Sequence, residues 1–162
     1  MQAKCDSDPD LFRLESDMDF EIHEHEGAGP IRFEMTIAEV RRILSVPVSS
    51  FMKTATSAVP TDAFDSLGMH VHYASSGVCH AIEMATPARA TFRGQKLIGR
   101  SFGELRQLFE SWDNRVTIDE TGLTSFSLGI GLYAPSAAKA PHSPVEGVIV
   151  FAKDYYDEPS RV

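Results

Sequence analysis

The 162-residue chain is short of cysteine, of basic charge and of long apolar runs, and each shortage closes a class of function. Two cysteines, Cys5 and Cys79, are too few for a disulfide framework and fit a reducing compartment. No apolar run is long enough for a signal peptide or a membrane span, and the N-terminus is acidic, so a cytoplasmic protein away from membranes is expected. Lys and Arg number 15 against 23 Asp and Glu, a net charge of -8. A nucleic-acid binder needs a basic patch to neutralise phosphates, so that class is disfavoured.

The acid excess is local. Residues 1–26 hold nine acids (Asp6, Asp8, Asp10, Glu15, Asp17, Asp19, Glu21, Glu24, Glu26) against Lys4 and Arg13, and the rest is nearly balanced. Residues 1–18 mix Asp, Ser and Pro around only Leu11, Phe12 and Leu14, which reads as a loosely ordered arm. Residues 19–158 are long enough for one domain, and 43% hydrophobic content supplies its core. An acidic arm on a neutral body suits a basic protein partner.

What the chain does have is a phrase written twice, 65 residues apart. Phe33 to Leu44 returns as Ile98 to Phe109, and in each copy a Thr or Ser (Thr36, Ser101) precedes a Glu by three residues (Glu39, Glu104). That is the capping box, in which two side chains satisfy backbone N–H groups at a helix start, so both copies begin helices. Val40, Ile43 and Leu44, and then Leu105, Leu108 and Phe109, give each helix one face to bury. Pro47 closes the first helix and the second ends near Trp112.

Each predicted helix is followed by an alternating hairpin pattern: Gly68 to Tyr73 turning at Ser75-Ser76-Gly77 into Val78 to Met84, and Ser127 to Tyr133 joined by an Ala/Pro/Ser loop to Val145–Lys153. Setting Gly68 on Gly129 aligns Met69 with Ile130, Val71 with Leu132 and His72 with Tyr133. Phe20 to His25 alternates as a further strand, and Thr91 to Leu97 gives another around Gly94. The expected fold is α+β: two tandem helix-plus-β-hairpin repeats, about 27–86 and 91–153, forming one curved antiparallel sheet with helices on one face.

Gly27-x-Gly29-Pro30-Ile31-x-Phe33-x-Met35-Thr36-x-x-Glu39-Val40 resembles the opening motif of the β-lactamase-inhibitory-protein-like domains, where a Gly-Met-Thr-x-x-Glu-Val phrase starts the helix. Glu34 stands where that phrase has Gly, while the second copy keeps Gly99 but has Arg100 and Ser101 in place of Met and Thr. The resemblance implies a tandem helix-plus-sheet protein that binds another protein on its open sheet face and catalyses nothing. By analogy of fold it suggests an immunity protein that neutralises a bacterial toxin.

Chemistry that competes with this reading is thin. His23-x-His25 and His70-x-His72 put paired imidazoles on strand faces and could serve a metal-dependent enzyme if the pairs converged. A solvent-facing strand also tolerates His, and no zinc-enzyme motif accompanies the pairs, so no metal or cofactor is expected. Cys79 and His80, as neighbours on a strand, point to opposite faces and cannot act as nucleophile and base. Gly129-x-Gly131 lacks a third glycine and a following helix, and Asp62-x-x-Asp65 and Asp119-Glu120 stand beside turns, where acids cap or face water. The expected partner-binding residues are His70, His72, Trp112, Tyr133, Asp154, Tyr155, Tyr156 and Asp157: aromatic and histidine side chains ringed by acids on the sheet face and after the last strand. The chain is expected to be a monomer or weak homodimer, with a structural adaptor in a larger assembly as the remaining alternative.

Overall fold

The computed structural model describes residues 19–157, so the acidic arm and Cys5 lie outside the described residues. Among these residues the fold is α+β, with two α-helices and thirteen strands in two sheets rather than the single sheet expected. Helix α1 (Ile37–Leu44) is followed by β4 (Ser49–Phe51), β5 (Thr61–Phe64), β6 (Met69–Tyr73) and β7 (Cys79–Ala85). Helix α2 (Phe102–Trp112) is followed by β10 (Thr117–Asp119), β11 (Gly122–Ser125), β12 (Ile130–Tyr133) and β13 (Gly147–Phe151). Each helix thus leads into a four-stranded meander, and the meanders join through their last strands in the order β10-β11-β12-β13-β7-β6-β5-β4, antiparallel throughout.

The second sheet takes the segments that precede each helix. It runs β3 (Ile31–Arg32), β2 (Gly27–Ala28), β1 (Asp19–His23), β8 (Arg89–Phe92), β9 (Gln95–Lys96), with β1 and β8 parallel. The Thr91–Leu97 pattern is therefore broken into two strands. Arg93 and Gly94 both adopt positive φ (52° and 79°), which turns the chain back on itself.

Local detail recurs between the halves, at offsets of 61 to 66 residues. Glu34 and Gly99 both sit in the left-handed region, at φ 78° and 91°. The Glu34 N–H donates to the Cys79 carbonyl (3.0 Å) and the Cys79 N–H to the Met35 carbonyl (2.7 Å); Gly99 N–H donates to Val145 and Val145 N–H to Arg100, each at 2.8 Å. Gly68 and Gly129, at φ 67° and 72°, each accept a bond from the last residue of the following hairpin, Ala85 and Phe151, both at 2.9 Å. A Cβ on either glycine would stand 2.2 Å or 2.7 Å from that same residue's carbonyl, so both positions require glycine. Each is preceded by the same two residues, Ser66-Leu67 and Ser127-Leu128, whose leucines are buried.

The caps are less alike than the sequence implies. At α1 the box is complete: Thr36 Oγ1 accepts from Glu39 N–H (3.2 Å) and Glu39 accepts from Thr36 N–H (2.9 Å). At α2 Ser101 Oγ accepts from Glu104 N–H (3.4 Å), but the Glu104 carboxylate turns to the Arg100 guanidinium at 2.9 Å. The cationic side chain standing where the first copy has Met35 outcompetes the backbone for it. A Ser45 left-handed cap ends α1 three residues after Arg42 and two before Pro47.

The main core cluster draws Val40 and Leu44 from α1, Phe102, Leu105 and Phe109 from α2, and alternate residues of both sheets. In the large sheet the register rows Asp62–Val71–Ile82–Val150–Ile130–Ser125 and Phe64–Met69–Met84–Val148–Leu132–Leu123 face that core. Polar ties bind the helices to the first row. Arg41 donates twice to Asp62 (2.8 and 2.7 Å), which also accepts from Ser50 (2.9 Å) and Tyr73 (2.9 Å). Ser125 donates to Asp113, the residue after α2, at 2.7 Å. Asp62 therefore does not face water as the sequence suggests: it is 0% exposed, because Arg41 from α1 meets its carboxylate inside.

Candidate functional site

The opposite face of the large sheet carries the other alternate residues. One register row reads Ala63–His70–Glu83–Ile149–Gly131–Thr124 and the next Ala85–Gly147–Tyr133–Gly122. Gly and Ala hold five of these ten positions, and three of them, Ala85, Gly131 and Gly147, line an open cavity of about 720 Å³. His70, Glu83, Tyr133, Ile149 and Tyr156 line it, with Asp65 and Glu146 at its edges.

Two residues along from Ala63 and His70 on the same face, Thr61 and His72 are more crowded. Thr61 Oγ1 and His72 Nδ1 are 3.0 Å apart, and His72 Nε2 meets Glu83 Oε1. Burial holds the His72 imidazole below its ordinary value despite Glu83, and the hydrogen bond from His72 holds Glu83 low against its own burial. Both shifts favour neutral imidazole beside carboxylate. Hydroxyl, imidazole and carboxylate in series have the composition of a nucleophilic triad, but Thr61 is 3% exposed and the cavity reaches neither it nor His72. The series orients Glu83 instead.

Beyond it, Ala81, Phe151 and Tyr155 form a small second cluster on this face with Ile149 against it. Tyr155, in the turn Tyr155–Asp157, is 2% exposed, and Lys53 donates to its hydroxyl at 3.1 Å. His80 reaches the same cluster, its ring 5.5 Å from Tyr155 and its Nε2 2.8 Å from Asp154 Oδ1. The hydrogen bond to His80 keeps the exposed Asp154 carboxyl low. Cys79, fully buried in the main core, has its thiol pushed up to about 12 by desolvation, which leaves it unreactive.

Around the cavity stand aromatic side chains that remain in solvent: Tyr133 at 51%, Tyr156 at 52% and Phe126 at 56% exposed. Phe126 packs edge-on to Phe151 (6.0 Å) and Tyr156 (5.5 Å). Phe51, from edge strand β4, meets His70 edge-on at 5.3 Å. Sequence patterning points to Tyr133 and Tyr156 but passes over Phe51, in the polar stretch before Pro60, and Phe126, just before the second hairpin pattern. The repeated Ser-Leu-Gly after Phe126 is the signal that places it, since it aligns Phe126 with exposed Asp65.

Of the other expected residues, His70 and His72 share this face with Tyr133, and Asp154, Tyr155 and Tyr156 border it. Trp112 is elsewhere: at the end of α2 it packs edge-on against Phe92 (5.4 Å) and Phe109 (5.2 Å), with the Arg93 guanidinium 5.3 Å from its ring. The Asp157 side chain lies outside the described residues. The histidine pairs lie apart: His70 and His72 are on β6 of the large sheet, His23 ends β1 in the second sheet, and His25 is not on that strand as expected but in the turn after it (φ 63°), reaching the Ser127 carbonyl at 2.6 Å. Among the described residues no group of three or more His, Cys, Asp or Glu is placed to hold a metal ion, and no helix is long and apolar enough to cross a membrane.

Comparison with known proteins finds no matching family model, no matching curated protein and no matching solved structure.

Proposed function

We propose that this chain is a non-enzymatic protein-binding inhibitor of the immunity type, which neutralises a bacterial toxin by covering it with the open face of its large sheet. The observation that carries the reading is the gathering of exposed aromatic side chains, Phe51, Phe126, Tyr133 and Tyr156, around one cavity on a face the core leaves uncovered. Large aromatics in solvent are anchors for a partner when they cluster and ordinary surface when scattered. The resemblance to β-lactamase-inhibitory-protein-like domains points the same way. So does a duplicated plan: a left-handed residue, a capped helix and a four-stranded meander, repeated with the same backbone bonds at Glu34 and Gly99 and at Gly68 and Gly129.

The charge of -8 makes a basic toxin the natural partner, since opposite charge speeds encounter. Co-expression of the chain with secreted bacterial toxins of basic charge, scored by growth, tests the proposal. Rescue from one toxin, accompanied by a stoichiometric complex on gel filtration, is the expected result. Absence of rescue from any, with the chain co-purifying with several unrelated host proteins, would favour an adaptor instead.

A further inference from the structure

We infer that the cavity on the open sheet face takes the guanidinium of an arginine presented by the partner. The inference rests on the reading of this face as the binding surface, and specifies what the partner places there. Gly147 and Ala85 are paired open-face positions on adjacent strands, and a Cβ on Gly147 would meet nothing nearer than 3.5 Å, so a flat group can approach the sheet closely there. Tyr133, paired with Gly147 in the register and half exposed, supplies a ring against which such a group can stack.

Charge completes the match. Glu83, Glu146 and Asp65 are among the residues that line the cavity, and none of its lining residues is Lys or Arg. His72 engages one oxygen of Glu83, which fixes the carboxylate in place and leaves its second oxygen for a ligand. Lys53 acts on Glu83 from outside the cavity, its ammonium donating to Tyr155. Arginine fits this setting better than lysine. A planar fork can stack on Tyr133 while donating to two carboxylates, whereas an ammonium is a point charge that does neither.

The test uses the full chain and no partner. Nα-acetyl-arginine amide and Nα-acetyl-citrulline amide, equal in length but the second neutral, are titrated into 15N-labelled protein. The arginine probe is expected to shift amides of residues 83–86, 131–133 and 146–149, with citrulline binding at least ~10-fold more weakly. Gly147→Leu should abolish the shifts by filling the floor. A Cβ there meets nothing nearer than the Met84 carbonyl at 3.5 Å, so the variant is expected to fold. Should it not, Glu146→Gln, which alters an exposed side chain, is expected to weaken the arginine shifts severalfold. Equal binding of both probes, shifts centred elsewhere, or shifts unchanged in either folded variant would overturn the inference. Failure of the titration with growth rescue by the parent chain intact would remove the arginine and leave the binding face; failure of the parent chain to rescue growth from any toxin would remove the reading of the face itself.

Discussion

Glu34 holds a conformation that its side chain disfavours. At φ 78° a non-glycine residue is strained by about 1 kcal/mol or more, and Gly99 adopts the same geometry without that cost. Glu34→Gly should therefore stabilise the protein by ~0.5–1 kcal/mol, read as a higher urea midpoint at unchanged slope, after allowing for the freer unfolded chain. A lower midpoint would mean the Glu34 side chain contributes something its exposure hides. Asp62 is the opposite case, a buried carboxylate. Burial pushes its carboxyl up, yet the bonds from Arg41, Tyr73 and Ser50 and the Arg41 charge bring it below the ordinary 3.8. Asp62→Ala should cost ~3 kcal/mol by stripping Arg41 and Tyr73 of their acceptor.

Titration at single residues also sets the pH profile. His72 is held below 6.5, so on acidification the unfolded chain takes up a proton that the folded chain refuses, and stability falls below pH 6.5. Asp62 is held below 3.8 and Glu83 below 4.5, so each contributes stability above its ordinary value that is lost as pH falls through the depressed one. Two declines are expected in a urea series against pH, one from about 6.5 and one below about 4.5. His72→Gln should remove the first and leave the Asp62 part of the second.

Among the elements, the helices show how much sequence can reveal. Thr36 to Glu39 and Ser101 to Glu104 mark both starts correctly, because capping is decided within four residues. What the spacing cannot reveal is that Arg100 draws Glu104 away, a competition between side chains. Thr36→Ala should cost ~1 kcal/mol and Ser101→Ala less, since its acceptor bond is longer and its box half open. Equal costs would mean the Glu39 bond to Thr36 contributes nothing. The hairpins β6–β7 and β12–β13 are legible from alternation, and the alignment of Gly68 with Gly129 holds at the level of backbone bonds. Strands β4, β5, β10 and β11 are not, being three or four residues long and carrying Asp62, Ser50 and Thr124 where a strand pattern wants apolar groups. Their pairing comes from neighbours in the sheet, which local propensity does not encode.

Across the whole molecule, the split into two sheets was hidden for a similar reason: β1 and β8 pair in parallel between residues 70 apart, and no short-range signal specifies such a pairing. The candidate face was legible in part. Tyr133, Tyr156 and the histidines of β6 were visible by alternation and by their acidic setting, whereas Trp112 joins the helix side of the core through Phe92 and Phe109. Removal of exposed aromatics should leave the fold untouched: Phe126→Ser and Tyr156→Ser are expected to shift stability by only ~0.5 kcal/mol in thermal melts. A drop of several kcal/mol would identify them as structural and weaken their reading as anchors.

The face and the function are joined most directly by growth rescue with the Gly147→Leu variant, folded and expressed as the parent, beside a control substitution at exposed Ile43 on α1. If the open sheet face covers the toxin, Gly147→Leu abolishes rescue and Ile43→Ser preserves it. Rescue that survives a filled cavity, or that is lost only when α1 is altered, would place the contact on the other side of the molecule and contradict the account.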